Sequence, residues 1–233
     1  LRLLAGVPLV IRVWERVRDL AVADRCVVAT DHADVVDAVR KAGAECVLTA
    51  VQHPSGTDRV AEVARRPDCA GFDVILNVQG DEPFVAGHAL RGAVEMVRSG
   101  GFPLGTAAIR AGPTILDQPS VVKVVCADDG RALYFSRAAI PYLRDDAEAA
   151  LRRTMIHQHV GIYAYTPAAL ARWVALPPHP LERIERLEQL RPLAAGLSMG
   201  VALIDAPPEV SIDTEEDLQR ANERWLDLTP RRT

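Results

Sequence analysis

The sequence predicts an α/β fold with a mixed, mainly parallel sheet, helices on both of its faces, and a small β-rich extension. Three observations predict it. Between residues 8 and 98, short apolar runs alternate with segments of helical spacing, the order that builds parallel sheets. After Gly101 the helical segments between apolar runs disappear, and turn signals such as Asp128-Asp-Gly130 take their place. The 233 residues, about half of them apolar, are enough for one large domain with its own core. The expected organisation is a single domain over 1–233, with residues 104–165 as the β-rich extension inside it.

The elements follow in order. Apolar residues recur at Leu9, Val13 and Val17, with Ile11 and Trp14 beside them, so Pro8 to Leu20 is read as a helix. A turn at Ala5-Gly6 precedes it. Arg25 to Thr30 is an apolar run ending at Asp31, a buried strand. Asp34 to Ala42 is a short helix stopped by Gly43. Glu45 to Leu48 is a strand, Thr57 to Ala64 a helix, Asp73 to Val78 a strand, and His88 to Arg98 a helix. In the second half, Leu104 to Ile109, Val121 to Cys126, Ala132 to Phe135 and Val160 to Tyr165 read as strands. Leu181 to Ala194 reads as one charged amphipathic helix. Val201 to Ile204 is a strand, Thr214 to Trp225 a closing helix, and the tail from Thr229 is expected to fray.

Charge and composition exclude some functions. The net charge of −4 and scattered basic residues give no footprint for nucleic acid or an anionic membrane. No apolar run has transmembrane length and no signal-peptide pattern opens the chain. Cys26, Cys46, Cys69 and Cys126 form no CxxC pair and read as small hydrophobes of a reducing compartment. The expected location is the cytoplasm. The chain opens at Leu1, as if in mid-domain.

Open α/β sheets bind ligands at the carboxyl ends of their strands, and three segments place polar groups there. In His53-Pro-Ser-Gly-Thr-Asp-Arg59, Ser55 or Thr57 can cap a helix and Gly56 lets a ligand approach the backbone. On spacing alone a plain cap is the favoured reading. In Asn77-Val-Gln-Gly-Asp-Glu-Pro83, an apolar strand runs into an amide, a glycine and two acids. Asp81 and Glu82 there suit a hard cation that bridges to phosphate oxygens. In Ser211-Ile-Asp-Thr-Glu-Glu-Asp-Leu218, Thr214 and Asp217 resemble a capping box with Asp replacing Glu, and Asp213 would supply a second carboxylate beside Asp81. Ser136-Arg137, His157-Gln-His159, and the helix residues Glu182, Glu185, Glu188, Gln189 and Arg191 are further candidates. By composition those helix charges are a solvated face.

Together these segments resemble the 3-deoxy-manno-octulosonate (Kdo) cytidylyltransferases. The matching strings are Val28-Ala-Thr-Asp-His32, Ser55-Gly-Thr-Asp-Arg-Val-Ala-Glu62, Asn77-Val-Gln-Gly-Asp-Glu-Pro83 and Val122-Lys-Val-Val125. They continue with Leu133-Tyr-Phe-Ser-Arg137 followed by Ile140-Pro141, and His159-Val-Gly-Ile-Tyr-Ala-Tyr165. The last two are Pro180 to Arg191 and Ile212-Asp-Thr-Glu-Glu-Asp-Leu218. The resemblance implies a nucleotide-diphospho-sugar transferase-like three-layer fold, a homodimer, and cytoplasmic service to lipopolysaccharide synthesis. The implied reaction joins CTP and Kdo to give CMP-Kdo and pyrophosphate. The resemblance further implies that Asp81 and Asp213 are the catalytic pair and hold Mg2+. Ser55, Gly56, Thr57, Arg59 and Gln79 would form the cytidine pocket. Gln79, Arg137, His159, Tyr163 or Tyr165, Glu188 and Gln189 would meet the sugar, with the Arg137 fork suited to its carboxylate.

One departure is large. The family opens with a strand and a loop resembling Pro-Ala-Arg-Tyr-x-Ser-x-Arg-Leu-Pro-Gly-Lys-Pro-Leu, and this chain starts at the last Leu of that string. The expectation is an N-terminally truncated chain that folds incompletely and does not turn over CTP. Rival readings are a cytidylyltransferase for 8-amino-Kdo or for a sialic acid, and a non-catalytic partner that keeps the sugar pocket.

Overall fold

The computed structural model describes residues 1–99, 101–205, 211–212 and 214–228. Asp213 and the tail from 229 lie outside the described residues. In chain order the first elements are β1 (Leu3–Leu4), β2 (Val7–Pro8), α1 (Leu9–Asp19), β3 (Val27–Thr30), α2 (Ala33–Lys41), β4 (Glu45–Leu48), α3 (Gly56–Ala64), β5 (Ile75–Asn77) and α4 (Gly87–Arg98). They are followed by β6 (Leu104–Arg110), β7 (Lys123–Cys126), β8 (Ala132–Ser136), α5 (Ala149–Thr154), β9 (His157–Tyr165), α6 (Pro167–Ala175), α7 (Pro180–Glu185), α8 (Leu190–Ala194), β10 (Met199–Ile204) and α9 (Glu215–Leu228). The α/β class and mixed sheet are those expected. The described residues form two compact units. One takes Leu1–Arg66, Val78–Gly87 and the described residues after 210, and the other takes Pro67–Asn77 and the described residues from His88 to Asp205.

In the first unit, β1 and β2 make a hairpin whose turn residues Ala5 and Gly6 both have positive φ (49° and 77°). That is the turn geometry matching strand twist. β3 and β4 pair in parallel, Val27 opposite Glu45 through Thr30 opposite Leu48. Gly43, at φ +80°, ends the turn after α2, and Ala44 N–H donates back to the Val39 carbonyl at 3.1 Å, a left-handed C-terminal stop that favours glycine. Ile11, Val36, Val39, Ala44 and Cys46 form the core, with Val10, Trp14 and Val28 packed on it. Each large side chain so buried contributes roughly 1.5–3 kcal/mol. The capping box read at Thr214 is present: Thr214 N–H donates to Asp217 Oδ2 at 2.9 Å, and Asp217 N–H donates to Thr214 Oγ1 at 3.1 Å. α9 is tied to the hairpin by Ala5 N–H donating to Asn222 Oδ1 at 2.8 Å, and the Arg12 guanidinium lies 4.7 Å over the Trp225 ring.

In the second unit the sheet order is β10-β6-β9-β7-β8, and β5 pairs with β9. β9 runs antiparallel to β6 along its length, to β5 through Tyr163–Tyr165, and to β7 through His157 and Gln158. Among the described residues, parallel pairing in this unit is between β6 and β10. The sheet therefore takes in β5 and β10 from outside 104–165. α4 packs directly on the β6 backbone: a Cβ at Gly105 would sit 2.1 Å from the Ala93 carbonyl oxygen, so only glycine allows the approach.

Two expectations need correction. Leu181 to Ala194 is not one helix. α7 ends at Arg186, which adopts φ +55°, and α8 begins at Leu190. The charges are not a solvated face either. Glu182 and Arg191 form a pair with side chains 14% and 8% exposed, and Glu185 accepts from Ser136 Oγ at 2.7 Å and from Arg137 N–H at 2.9 Å. These inward partners favour a broken helix over a straight one, against the roughly 1–2 kcal/mol that a left-handed non-glycine residue costs. α6 was not anticipated. Its entry is marked by Thr166, whose Oγ1 accepts from Ala169 N–H at 3.1 Å, followed by Pro167 at the first helical position, a start signal that the sequence does contain.

Candidate functional site

The first unit carries the candidate nucleotide residues. Ser55, in extended conformation, caps α3: its Oγ accepts from Asp58 N–H at 3.2 Å and donates to Asp58 Oδ2 at 2.6 Å. The cap is real, and it holds the helix N-terminus with its unshared N–H groups at the carboxyl end of the β3–β4 pair. Gly56 opens α3, and a Cβ there would meet Gln79 Oε1 at 3.5 Å and Nε2 at 3.6 Å. Ser55, Gly56 and Gln79 are thus brought together, while Thr57 turns inward and is 1% exposed. Arg59 Nη2 donates to Asp31 Oδ2 at 2.8 Å and Nη1 donates to Thr49 Oγ1 at 2.5 Å.

Gln79 to Pro83 forms a turn in which Glu82 N–H donates to the Gln79 carbonyl at 3.3 Å. Asp81 is half-buried and its Oδ1 is shielded from solvent. The C-terminal segment docks on this turn: Ile212 N–H donates to the Asp81 carbonyl at 3.0 Å, and Ser211 Oγ donates to Glu82 Oε1. Asp213 itself lies outside the described residues. Among the described residues no three His, Cys, Asp or Glu side chains cluster as a metal site.

The second unit carries the candidate sugar residues. His159 Nε2 lies 2.9 Å from Thr106 Oγ1, and its ring meets Phe135 edge-on at 4.8 Å and Tyr163 at 5.5 Å. Burial holds the imidazole neutral, with its pKa pushed down to about 3. Tyr165 is fully buried and its hydroxyl accepts from Asn77 Nδ2 at 3.4 Å, so Tyr163 is the tyrosine of the pair with accessible surface. Burial raises the Tyr163 phenol well above its usual range, with Tyr165 and the Glu188 carboxylate adding to the shift. Gln189 is 3% exposed at the start of α8.

Arg137 is anchored by main-chain carbonyls. Its Nε donates to the Glu185 carbonyl at 2.8 Å, and Nη1 donates to the Pro119 carbonyl at 2.9 Å. These bonds fix the orientation of its guanidinium fork. The Arg137 carbonyl in turn accepts from Lys123 Nζ, a fully buried ammonium that also donates to the Gln118 and Val121 carbonyls. Desolvation lowers the Lys123 pKa, and these carbonyls satisfy its three protons.

Sequence reasoning missed several supporting residues. Asp31 and Thr49 hold Arg59. Glu62 accepts from Ala50 N–H at 3.0 Å and pairs with His53 Nε2, and the Ala50 bond, then His53, pulls the Glu62 carboxyl below its ordinary range. Glu185 organises Ser136 and Arg137. The signals for Asp31 were its place directly after a strand, at the ligand end of the sheet, and its position in the string Val28-Ala-Thr-Asp-His32.

The cytidylyltransferase family profile matches residues 1–201. The chain is 62% identical over 225 residues to the 3-deoxy-manno-octulosonate cytidylyltransferase of Gemmatimonas aurantiaca, covering 97% of this chain and 87% of the relative. It is 41% identical to the enzyme of the same name from Legionella pneumophila, covering 96% and 88%. Among solved structures, CMP:2-keto-3-deoxy-manno-octonic acid synthetase complexed with CTP superposes at TM-score 0.87 with 34% identity, covering 98% of this chain and 92% of that one. The 4-diphosphocytidyl-2C-methyl-D-erythritol synthase of Anaerococcus prevotii shares the fold at TM-score 0.62 and 13% identity. On these matches, the chain belongs to the 3-deoxy-manno-octulosonate cytidylyltransferase family.

Proposed function

We propose that this chain is an enzyme that activates Kdo with CTP, giving CMP-Kdo and pyrophosphate for lipopolysaccharide synthesis. The observation that carries the site assignment is the Ile212 N–H bond to the Asp81 carbonyl at 3.0 Å, which brings the position before Asp213 against Asp81. Carboxylates are the donors that suit Mg2+, which usually takes one or two of them plus substrate phosphates. Asp81 and Asp213 would hold the ion, which when bound neutralises phosphate charge and acidifies the attacking hydroxyl.

The remaining work falls to positioning. The anomeric hydroxyl of Kdo attacks the α-phosphorus of CTP in line. A new P–O bond forms as the bond to the β-phosphate oxygen breaks, pyrophosphate leaves, and the hydroxyl proton passes to solvent. Ser55, Gly56, Thr57 and Arg59 with Gln79 form the nucleotide side, supported by the capped α3 N-terminus and the Gln79 amide resting on Gly56. His159, Tyr163, Glu188 and Gln189 form the sugar side. His159 is neutral and bonded to Thr106, which suits it to orient a hydroxyl and not to carry charge. Arg137 and Tyr165 support this side from behind, through the Glu185 carbonyl and Asn77.

Homodimer formation is part of this reading, supported by the exposed apolar side chains Leu133, Leu181 and Ile184. So is cytoplasmic location, supported by four free cysteines and by the absence, among the described residues, of a helix long and apolar enough to cross a membrane. The test is an assay of CMP-Kdo formation with CTP and Mg2+, run with Kdo, 8-amino-Kdo and a sialic acid in parallel arms. Product with Kdo, lost on chelation of the metal, is the expected result. Turnover of 8-amino-Kdo alone would reassign the sugar, and no turnover in any arm would sink the enzyme reading.

A further inference from the structure

The Arg59 guanidinium is held inside the first unit, with its side chain 19% exposed. Its two partners stand directly after the two parallel strands. Asp31 follows Thr30, the last residue of β3, and Thr49 follows Leu48, the last residue of β4. Thr49 is 4% exposed and its N–H donates to the Thr30 carbonyl at 2.8 Å. Arg59 lies on the first turn of α3, and its own N–H donates to the Ser55 carbonyl at 3.3 Å. One side chain therefore ties the carboxyl ends of β3 and β4 to the turn that carries Ser55, Gly56 and Thr57. One carboxylate and one buried hydroxyl in its fork fix the orientation of the guanidinium. The Asp31 carboxyl is held below its ordinary range, first by the hydrogen bond from Arg59, so the pair is ionised at neutral pH.

We propose that Asp31 is a positioning residue for nucleotide recognition, acting through Arg59 and Thr49 to fix the first turn of α3 against Gln79. The proposal rests on the reading of Ser55, Gly56 and Gln79 as the nucleotide side. It assigns Arg59 the role of a strut, where the motif alone suggests a direct contact. The two roles differ in sign. If Arg59 bound the nucleotide directly, neutralising Asp31 would release it and leave CTP binding unchanged or tighter. If Arg59 is a strut, the same change loosens the turn, and small misplacements of binding groups are costly.

The experiment is calorimetric titration of the full chain with CTP and, separately, with Kdo. Asp31→Asn is expected to weaken CTP binding about tenfold, a factor ordinary for the loss of one charge-assisted bond, with Kdo affinity unchanged. Asp31→Glu, which keeps the charge, should recover part of the loss. In an Arg59→Ala background, Asp31→Asn should add nothing further. Unchanged or tighter CTP binding by Asp31→Asn, an equal loss for both ligands, or additive losses in the double variant would each overturn the proposal. Gln79→Ala separates the two levels. If it weakens CTP binding while Asp31→Asn does not, only the strut is wrong. If Gln79→Ala also leaves CTP binding unchanged, the nucleotide reading falls and the proposal with it.

Discussion

The two units handle polar groups in opposite ways. In the first, these polar residues sit at strand and helix ends, partly exposed, and are satisfied by side-chain bonds there: Ser55 to Asp58, Asp31 to Arg59, Thr214 to Asp217. In the second they are sealed inside the sheet and its helices: Lys123, His157, His159 and the Glu182–Arg191 pair are all nearly or fully buried. A half-exposed polar group keeps water as an alternative partner, so replacing it changes recognition more than stability. A buried one has no alternative, so removing its partner costs the full desolvation penalty. The same residue types therefore serve ligand geometry in one unit and integrity in the other.

The comparison breaks first at the Glu182–Arg191 pair. Arg191→Ala is expected to destabilise by about 3–5 kcal/mol, because it leaves a buried carboxylate without its guanidinium. Urea unfolding measures this, and a loss below 1 kcal/mol would mean that water reaches the pair. Acid provides the second test. The folded pKa of His159, about 3, lies below the unfolded value near 6.5, so the unfolded state binds more protons between those values. Stability is complete above pH 6.5 and falls as pH drops through this window, by about 2–3 kcal/mol between pH 6.5 and 4.5. His157, also lowered by burial, steepens the fall. His159→Gln should flatten the profile, and an unchanged slope would exclude His159 as its source. Third, Gly105→Ala should cost about 1–3 kcal/mol through its overlap with the Ala93 carbonyl, read as a lower thermal midpoint.

The smallest effects belong to the first unit. Ser55→Ala removes a helix cap and should cost about 1 kcal/mol, while weakening CTP binding more than Kdo binding. At the surface, Arg25, just before β3, pairs with Glu45 of β4, their side chains 24% and 43% exposed, and Glu45→Gln is expected to change stability by less than about 1 kcal/mol. A large loss there would erase the contrast between the units.

The legible parts of the site were those written in local sequence. Ser55 as a cap, Gly56 beside a ligand end, and Asp81 at the end of an apolar strand all follow from neighbours within a few residues. The strut at Arg59 was not legible, because Asp31 lies 28 residues away and reads as an ordinary strand-end acid. The partners of Arg137 were not legible for the same reason: its motif gives the residue type, while the carbonyls of Pro119 and Glu185 that hold its guanidinium come from distant segments.

By itself, the sequence determined the α/β class, the bounds of most elements to within a few residues, the caps, and the family. Periodicity, turn chemistry and motif order are properties of contiguous residues, and they survive without coordinates. Only the tertiary structure decided which polar groups are spent. It broke the helix at Arg186 so that Glu182 and Glu185 could reach Arg191, Ser136 and Arg137. It sealed Tyr165 while leaving Tyr163 accessible, and it gave Lys123 a cage of three carbonyls. Each is a matter of burial and of partners far apart in the chain. A side chain's charge is written in the sequence, but the water it loses and the donor it gains are set by packing.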